Sequence, residues 1–255
     1  NPKMLRMSYE HGTGSVPLLG LCIGAALDRT AKQFPGNLAL VVRHQQKRYT
    51  YREFLDEVEL VARGLLRMGV QKGDRVGIWS TNCAEWVITQ FATAKAGAVL
   101  VNINPANRAF ELLHALELSE CQTLLLADGM RDCNYAETLR DLCPELAGSA
   151  LGALHAAKLP HLRNVLYLGE KKAPQGMFHW RELLAMAQAT PESELRAREE
   201  ALDFDDAINI QFTSGTTGQP KGAQHVHYSI VAQYLTAKWV LDLRPDDIYW
   251  CNADP

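Results

Sequence analysis

Residues 74–103 read DRVGIWSTNCAEWVITQFATAKAGAVLVNI, and their order of patterns decides the fold class. Asp74 to Trp79 is a short apolar run of strand type. Asn82 followed three residues later by Glu85 opens a helix that runs through Trp86, Phe91 and Ala94 and stops at Gly97. Ala98 to Ile103 is apolar and strand-like again. Two strands joined by a helix through short turns pair in parallel, because a parallel pair needs a crossover of this length.

The same alternation continues on both sides. Upstream, Thr50 and Glu53 form a capping box, and Phe54, Val58, Val61, Leu65 and Met68 recur at helical spacing before Gly69. Downstream, 107–120 reads as a helix, and 123–127 and 164–168 as short buried strands. Residues 144–160, rich in alanine and glycine, are expected to hold a helix and a loop. The predicted fold is α/β, with parallel β-α-β layers from about residue 30 to 190 and helices on both faces.

A change of composition follows. Between Pro191 and Asp206 stand Glu192, Glu194, Glu199, Glu200, Asp203, Asp205 and Asp206, which reads as a solvated acidic helix leading into a linker. The expected organisation is a first subdomain over 1–190, a linker over 191–206, and a second subdomain starting at 207. That second part opens with an alternating strand, Ala207 to Phe212, and has a helix from about His227 to Leu241, with a further strand expected from Asp247 to Cys251.

Between this strand and this helix lies Phe212-Thr213-Ser214-Gly215-Thr216-Thr217-Gly218-Gln219-Pro220-Lys221-Gly222. Glycines let a backbone approach a ligand closely, hydroxyls and N–H groups donate to anionic oxygens, and one lysine adds a compact positive charge. The chemistry is that of a phosphate-binding loop, expected here as strand, loop and helix N-terminus. The Walker pattern is excluded, since Lys221 precedes Gly222 instead of following a glycine and preceding Ser or Thr. The dinucleotide fingerprint is excluded as well: Pro17 stands where a third glycine would follow Gly12 and Gly14.

Composition narrows the class only slightly. A chain of 255 residues with a formal net charge of −3 can bury a large core and has no charge bias toward nucleic acid. Its apolar runs are too short to span a bilayer. The six cysteines, Cys22, Cys83, Cys121, Cys133, Cys143 and Cys251, contain no Cys-x-x-Cys pair and are expected as free thiols. His225 and His227 lack nearby partners for a zinc shell and are expected at the helix start behind the loop, where one could touch phosphate.

The loop from Phe212 to Gly222 resembles the signature of the adenylate-forming, AMP-binding enzymes: acyl-CoA synthetases, firefly-type luciferases and the adenylation domains of peptide synthetases. Tyr49 to Phe54 is similar to the first core motif of that family, and Ala94 to Pro105 to its second. The likeness extends from about Leu27 to Pro255. It implies the N-terminal portion of the family's large domain, with the adenine and acyl pockets and the lysine-bearing C-terminal lid lying beyond Pro255, so that the chain alone is expected to be inactive.

By the same resemblance, Thr213, Ser214, Gly215, Thr216, Thr217, Gly218 and Lys221 bind the β- and γ-phosphates of ATP, Lys221 neutralises phosphate charge during catalysis, and Thr216 is a candidate ligand for the magnesium that bridges the phosphates. The implied reaction is activation of a carboxylic acid to an acyl-adenylate, then transfer to the thiol of coenzyme A. Residues 27–221 look like medium- or long-chain fatty-acyl-CoA synthetases, whereas 225–255 look more like acetyl-CoA synthetases. A fatty acid is the expected substrate, with acetate or another short acid as the alternative. A non-catalytic nucleotide-binding module, a half that pairs with a separately encoded partner, and a fused reading frame remain open readings. The expected compartment is the cytoplasm, or the mitochondrial matrix if a targeting segment is removed.

Overall fold

In the computed structural model, which describes residues 17–213, 220–251 and 253, the central β-α-β unit forms as the pattern dictates. Helix α1 (Ile23–Gln33) comes first, then an antiparallel hairpin of β1 (Leu38–Val42) and β2 (Lys47–Thr50). Helix α2 (Tyr51–Arg67), β3 (Arg75–Trp79), α3 (Ala84–Ala96), β4 (Val99–Ile103), α4 (Ala109–Leu118) and β5 (Thr123–Leu126) alternate in turn. The two-residue strands β6 (Gly129–Met130) and β7 (Cys133–Asn134) make a small hairpin ahead of α5 (Tyr135–Leu142). After β8 (Asn164–Tyr167) come β9 (Phe178–His179), α6 (Trp180–Ala187), α7 (Glu192–Glu200), β10 (Ala207–Thr213), β11 (Lys221–Val226) and α8 (His227–Val240).

One sheet organises the chain, with strand order β11-β10-β4-β3-β5-β8-β9. All neighbours are parallel except the β10–β11 pair at one edge. Its strands read as continuous apolar runs because helices cover both faces. Val76, Ile78, Leu100, Leu125 and Leu166 point to a layer containing Leu27 of α1, Val58 of α2, Ile88 of α3, Leu183 of α6 and Leu195 of α7. Their strand neighbours Trp79, Val101, Ile103, Leu124, Leu126 and Val165 point the other way, onto Leu112 and Leu116 of α4 and Leu139 of α5.

The capping box at Thr50 forms: its hydroxyl accepts from the Glu53 N–H at 3.3 Å while the Glu53 carboxylate accepts from the Thr50 N–H at 2.8 Å. The start expected at Asn82 is different. Helix α3 begins at Ala84, and the group that satisfies its first N–H comes from the turn of the β1–β2 hairpin, where Gln45 Oε1 accepts from Ala84 N at 2.7 Å. Gln45 and Lys47 also hold the buried Glu85 carboxylate. Asn82 instead donates to the Ala253 carbonyl at 2.7 Å. The end of α3 agrees with its sequence, for Gly97 takes φ of 72°, the left-handed conformation that a glycine cap tolerates without a Cβ penalty.

Four other expectations are corrected. The helix foreseen in 144–160 is a single 3-10 turn, Pro144–Gly148. No strand forms over 247–251, and Ile248, Tyr249 and Trp250 are exposed. The strand–loop–helix layer expected from Ala207 is a β-hairpin, because β11 intervenes before α8, and β10 joins the first sheet beside β4. The acidic segment is not merely solvated. Leu195 is buried, and α7 packs on α2 and α3.

Helix α7 is drawn in by a buried cation. Lys95 on α3 has no exposed surface, and its ammonium contacts Asp28 of α1 at 2.8 Å, Glu59 of α2 at 3.4 Å and Glu199 of α7. Arg196 closes the cluster, contacting Glu59 and Glu199 at 2.6 Å each. Burial alone would lower the Lys95 pKa, but the hydrogen bonds that the ammonium donates to Asp28 and Glu199, and the charges of these carboxylates, outweigh it and raise the value. Arg198 adds a bond of 2.8 Å to the Ala96 carbonyl at the end of α3.

His227 performs a comparable task with a neutral side chain. Its Nδ1 accepts the first N–H of α1, from Ile23, at 3.1 Å, inside a small core of Ile23, Ala94, Ile208 and Val231. Burial lowers its pKa to about 4, against the raising effect of Asp206 and with the help of Lys72. His227 does stand at a helix start, as expected, and its Nδ1 is already engaged by Ile23.

Two outcomes follow from these buried groups. Lys95→Met leaves Glu59 and Glu199 without their ammonium and should destabilise the fold by about 3–5 kcal/mol, read as a lowered urea midpoint with unchanged slope. For His227, the unfolded imidazole takes up a proton near pH 6.5 while the folded one resists until about pH 4. The unfolded state therefore binds more protons in that window, and stability should decline as pH falls through it, by about 3 kcal/mol at the acid end. Urea midpoints at pH 7, 6 and 5 should fall more steeply in the wild type than in His227→Gln; parallel slopes would remove His227 as the cause.

Candidate phosphate-binding site

In a doubly wound sheet, ligands gather outside the carboxyl ends of the strands, near the point where the connections reverse direction. Here the chain moves from β3 to β4 on one side and then to β5 on the other. At that switch Trp79, the last residue of β3, is fully buried and stacks on Tyr135, with ring centroids 3.7 Å apart. Tyr135 in turn donates its hydroxyl to the Pro105 carbonyl at 2.7 Å. On the far side Tyr167 donates to Asp128, and burial followed by this carboxylate pushes the phenol up to about 12. Side chains thus fill the crest between β3 and β8.

The crest over β10 differs. Thr213 ends β10 and Lys221 begins β11, the two are paired in register, and both are exposed. The Thr213 hydroxyl lies 3.4 Å from the Lys221 carbonyl. Among the described residues, Lys221 has no carboxylate partner. Ser214, Gly215, Thr216, Thr217 and Gly218 lie outside the described residues, between these two ends. Of the anticipated binding residues, the structure therefore brings Thr213 and Lys221 together at the end of the hairpin where the two strands are connected.

The helix N-terminus expected behind the loop is elsewhere. β11 runs the length of six residues, about 20 Å at 3.3 Å per residue, back toward the amino ends of the parallel strands before α8 starts at His227. A helix dipole acts within its first turn, so positive charge at the hairpin end comes from Lys221 and not from α8. His225 lies within β11, opposite Asn209.

A residue that no spacing singled out stands beside the hairpin. His114 on α4 lies with Nε2 3.1 Å from the Pro220 carbonyl, and its ring meets Phe212 edge-on at 6.5 Å. One side chain thus meets the end of β10 and the residue directly before β11.

Concave surface is found at the opposite end. A half-open cleft of about 380 Å³ is lined by Lys72, Arg75, Gly97, Ser119 and Asp206 near the amino ends of β3, β4 and β10. Its cations are already engaged, Lys72 with Asp206 at 2.7 Å and Arg75 with Glu120 at 2.8 Å. The six cysteines are free. Burial pushes the Cys121 thiol up to about 12 and Cys143 to about 11, which leaves both unreactive as nucleophiles. No helix among the described residues is long and apolar enough to cross a membrane.

Comparison with known proteins agrees with this fold. The family described as AMP-binding enzyme matches residues 27–255. The mitochondrial medium-chain acyl-CoA ligase of Danio rerio is 38% identical over 256 residues, covering 97% of this chain and 42% of that protein. Its human counterpart is 39% identical over 227 residues, covering 88% of this chain and 36% of its own. The chain thus spans about two fifths of the length of such relatives. Among solved structures, acetoacetyl-CoA synthetase from Streptomyces lividans superimposes with a TM-score of 0.75 at 26% identity, over 92% of this chain and 35% of that one. A long-chain-fatty-acid-CoA ligase from Archaeoglobus fulgidus shares the fold, with a TM-score of 0.67 at 20% identity over 95% of this chain and 44% of its own. With its mostly parallel sheet and a family match over residues 27–255, this chain belongs to the AMP-binding enzyme family.

Proposed function

We propose that the protein carrying this chain activates a carboxylic acid with ATP and passes the acyl group to coenzyme A. The observation that carries the reading is the hairpin end at Thr213 and Lys221, where a cation without a carboxylate partner among the described residues flanks the segment Ser214, Gly215, Thr216, Thr217, Gly218. Adenylation brings a carboxylate against a polyphosphate, and like charges repel. Lys221 lowers that repulsion, while the Thr213 hydroxyl and the donors of the segment hold the β- and γ-phosphates so that the carboxylate meets the α-phosphorus in line. Thr216 would be the residue to hold the magnesium that accompanies the nucleotide, and the metal would supply further positive charge against the phosphates.

The substrate proposed is a medium- or long-chain fatty acid, in keeping with the names of the medium-chain ligases that match this chain. A short acid is the second reading. It is favoured by residues 225–255, which resemble acetyl-CoA synthetases, and by the likeness to acetoacetyl-CoA synthetase. The matched ligases are named mitochondrial, which supports a matrix enzyme beside the cytoplasmic alternative.

ATP–pyrophosphate exchange in the full-length protein tests the assignment. Lys221→Ala should slow exchange by about 10²–10³, the effect of deleting one preorganised group that stabilises developing charge. Thr213→Ala should cost less, because a neutral hydrogen bond is about half as strong as a charge-assisted one. Unchanged exchange in a folded Lys221→Ala protein, judged by circular dichroism, would refute the role given to the hairpin end.

A further inference from the structure

Helix α4 and the β10–β11 hairpin are separated by about a hundred residues of sequence, yet one side chain joins them at the site. His114 is half-buried, its Nε2 lies 3.1 Å from the Pro220 carbonyl, and its ring packs edge-on against Phe212, with centroids 6.5 Å apart and planes at 63°. A carbonyl oxygen only accepts, so the hydrogen bond requires the proton on Nε2. Phe212 directly precedes Thr213 and Pro220 directly precedes Lys221. Proline has no N–H to give to the ladder, and among the described residues the registered pairing of the two strands reaches Thr213 and Lys221. Pro220 therefore donates nothing to the ladder, and the His114 contact gives its carbonyl a side-chain partner.

We propose that His114 is a positioning residue for nucleotide binding: it sets the separation and direction of the two hairpin ends and so places the Thr213 hydroxyl and the Lys221 ammonium toward a polyphosphate. The proposal rests on the phosphate-binding reading of the hairpin and adds to it a residue outside the loop. It differs from a packing role in what it predicts. A residue that only fills space between α4 and the sheet affects stability and all substrates alike, whereas one that aims the hairpin affects the nucleotide alone, since small misplacements of binding groups are felt where the groups act.

The test uses three variants of the full-length protein. His114→Phe keeps the ring contact with Phe212 and removes the donor. His114→Gln replaces the donor and removes the ring. Lys221→Ala is the control for the loop itself. The expected result is a rise in KM for MgATP of about five- to tenfold in His114→Phe, the scale of one lost hydrogen bond, with KM for the carboxylic acid unchanged and substantial recovery in His114→Gln. If Lys221→Ala is impaired while both His114 variants bind MgATP like the wild type, the positioning role is wrong and the loop assignment stands. Equal losses for MgATP and acid, following a lowered thermal midpoint in both His114 variants, overturn the proposal in favour of plain packing. Unimpaired Lys221→Ala overturns the loop assignment, and the role of His114 with it.

Discussion

A buried ammonium governs how one face of this sheet is built. Removing a lysine head from water is costly unless several acceptors replace the hydration shell, and no one helix can present them all. Lys95 obtains its acceptors from α1, α2 and α7, so these helices must converge on the end of α3. Arg196 then neutralises part of the surplus negative charge between Glu59 and Glu199. The packing is close enough that a Cβ on Gly24 of α1 would lie 2.7 Å from the Lys95 side chain. Because α3 connects β3 to β4, the cluster also fixes the strand that β10 pairs with, and the hairpin inherits its position from it.

The site is correspondingly divided in its electrostatics. At the amino ends of the strands, cations and carboxylates are paired off around a cleft. At the carboxyl ends, the space above β3, β5 and β8 is taken by Trp79, Tyr135 and the Tyr167–Asp128 pair. Over β10 an exposed hydroxyl, Thr213, and an exposed ammonium, Lys221, stand together. An anion meets positive charge there that no neighbouring acid has already cancelled.

Much of the architecture could be read from local pattern. The crossover from β3 to β4, the capping box at Thr50 and the glycine stop at Gly97 depend on residues within a few positions of one another, and all formed. What escaped detection depended on distant partners. The true cap of α3 is Gln45, on a hairpin 39 positions away, and Asn82 was preferred because it is adjacent. Helix α7 looked solvated since its charges outnumber its apolar residues, while the ammonium that Glu199 serves lies 104 positions upstream. At the site, the residue types of the loop were plain, but β11 was not. Lys221 to Val226 carries glycine and glutamine where a strand favours branched or aromatic side chains, and its strand character comes from pairing with β10. His114 offered no signal at all, for a histidine on a helix looks the same whether or not a proline carbonyl waits above it.

The place of β11 in the sheet has a consequence for motion. Among the described residues it has β10 as its only neighbour, so one side of its backbone is free of the ladder and its side chains from Lys221 to Gln224 face water. An edge strand held along one side opens more readily than the strands within. The strand that carries Lys221 can therefore peel from β10 while β3, β4 and β5 remain intact, and the fluctuation is confined to one margin of a rigid slab. A ligand held at Lys221 would therefore engage a border that can move without disturbing the core behind it.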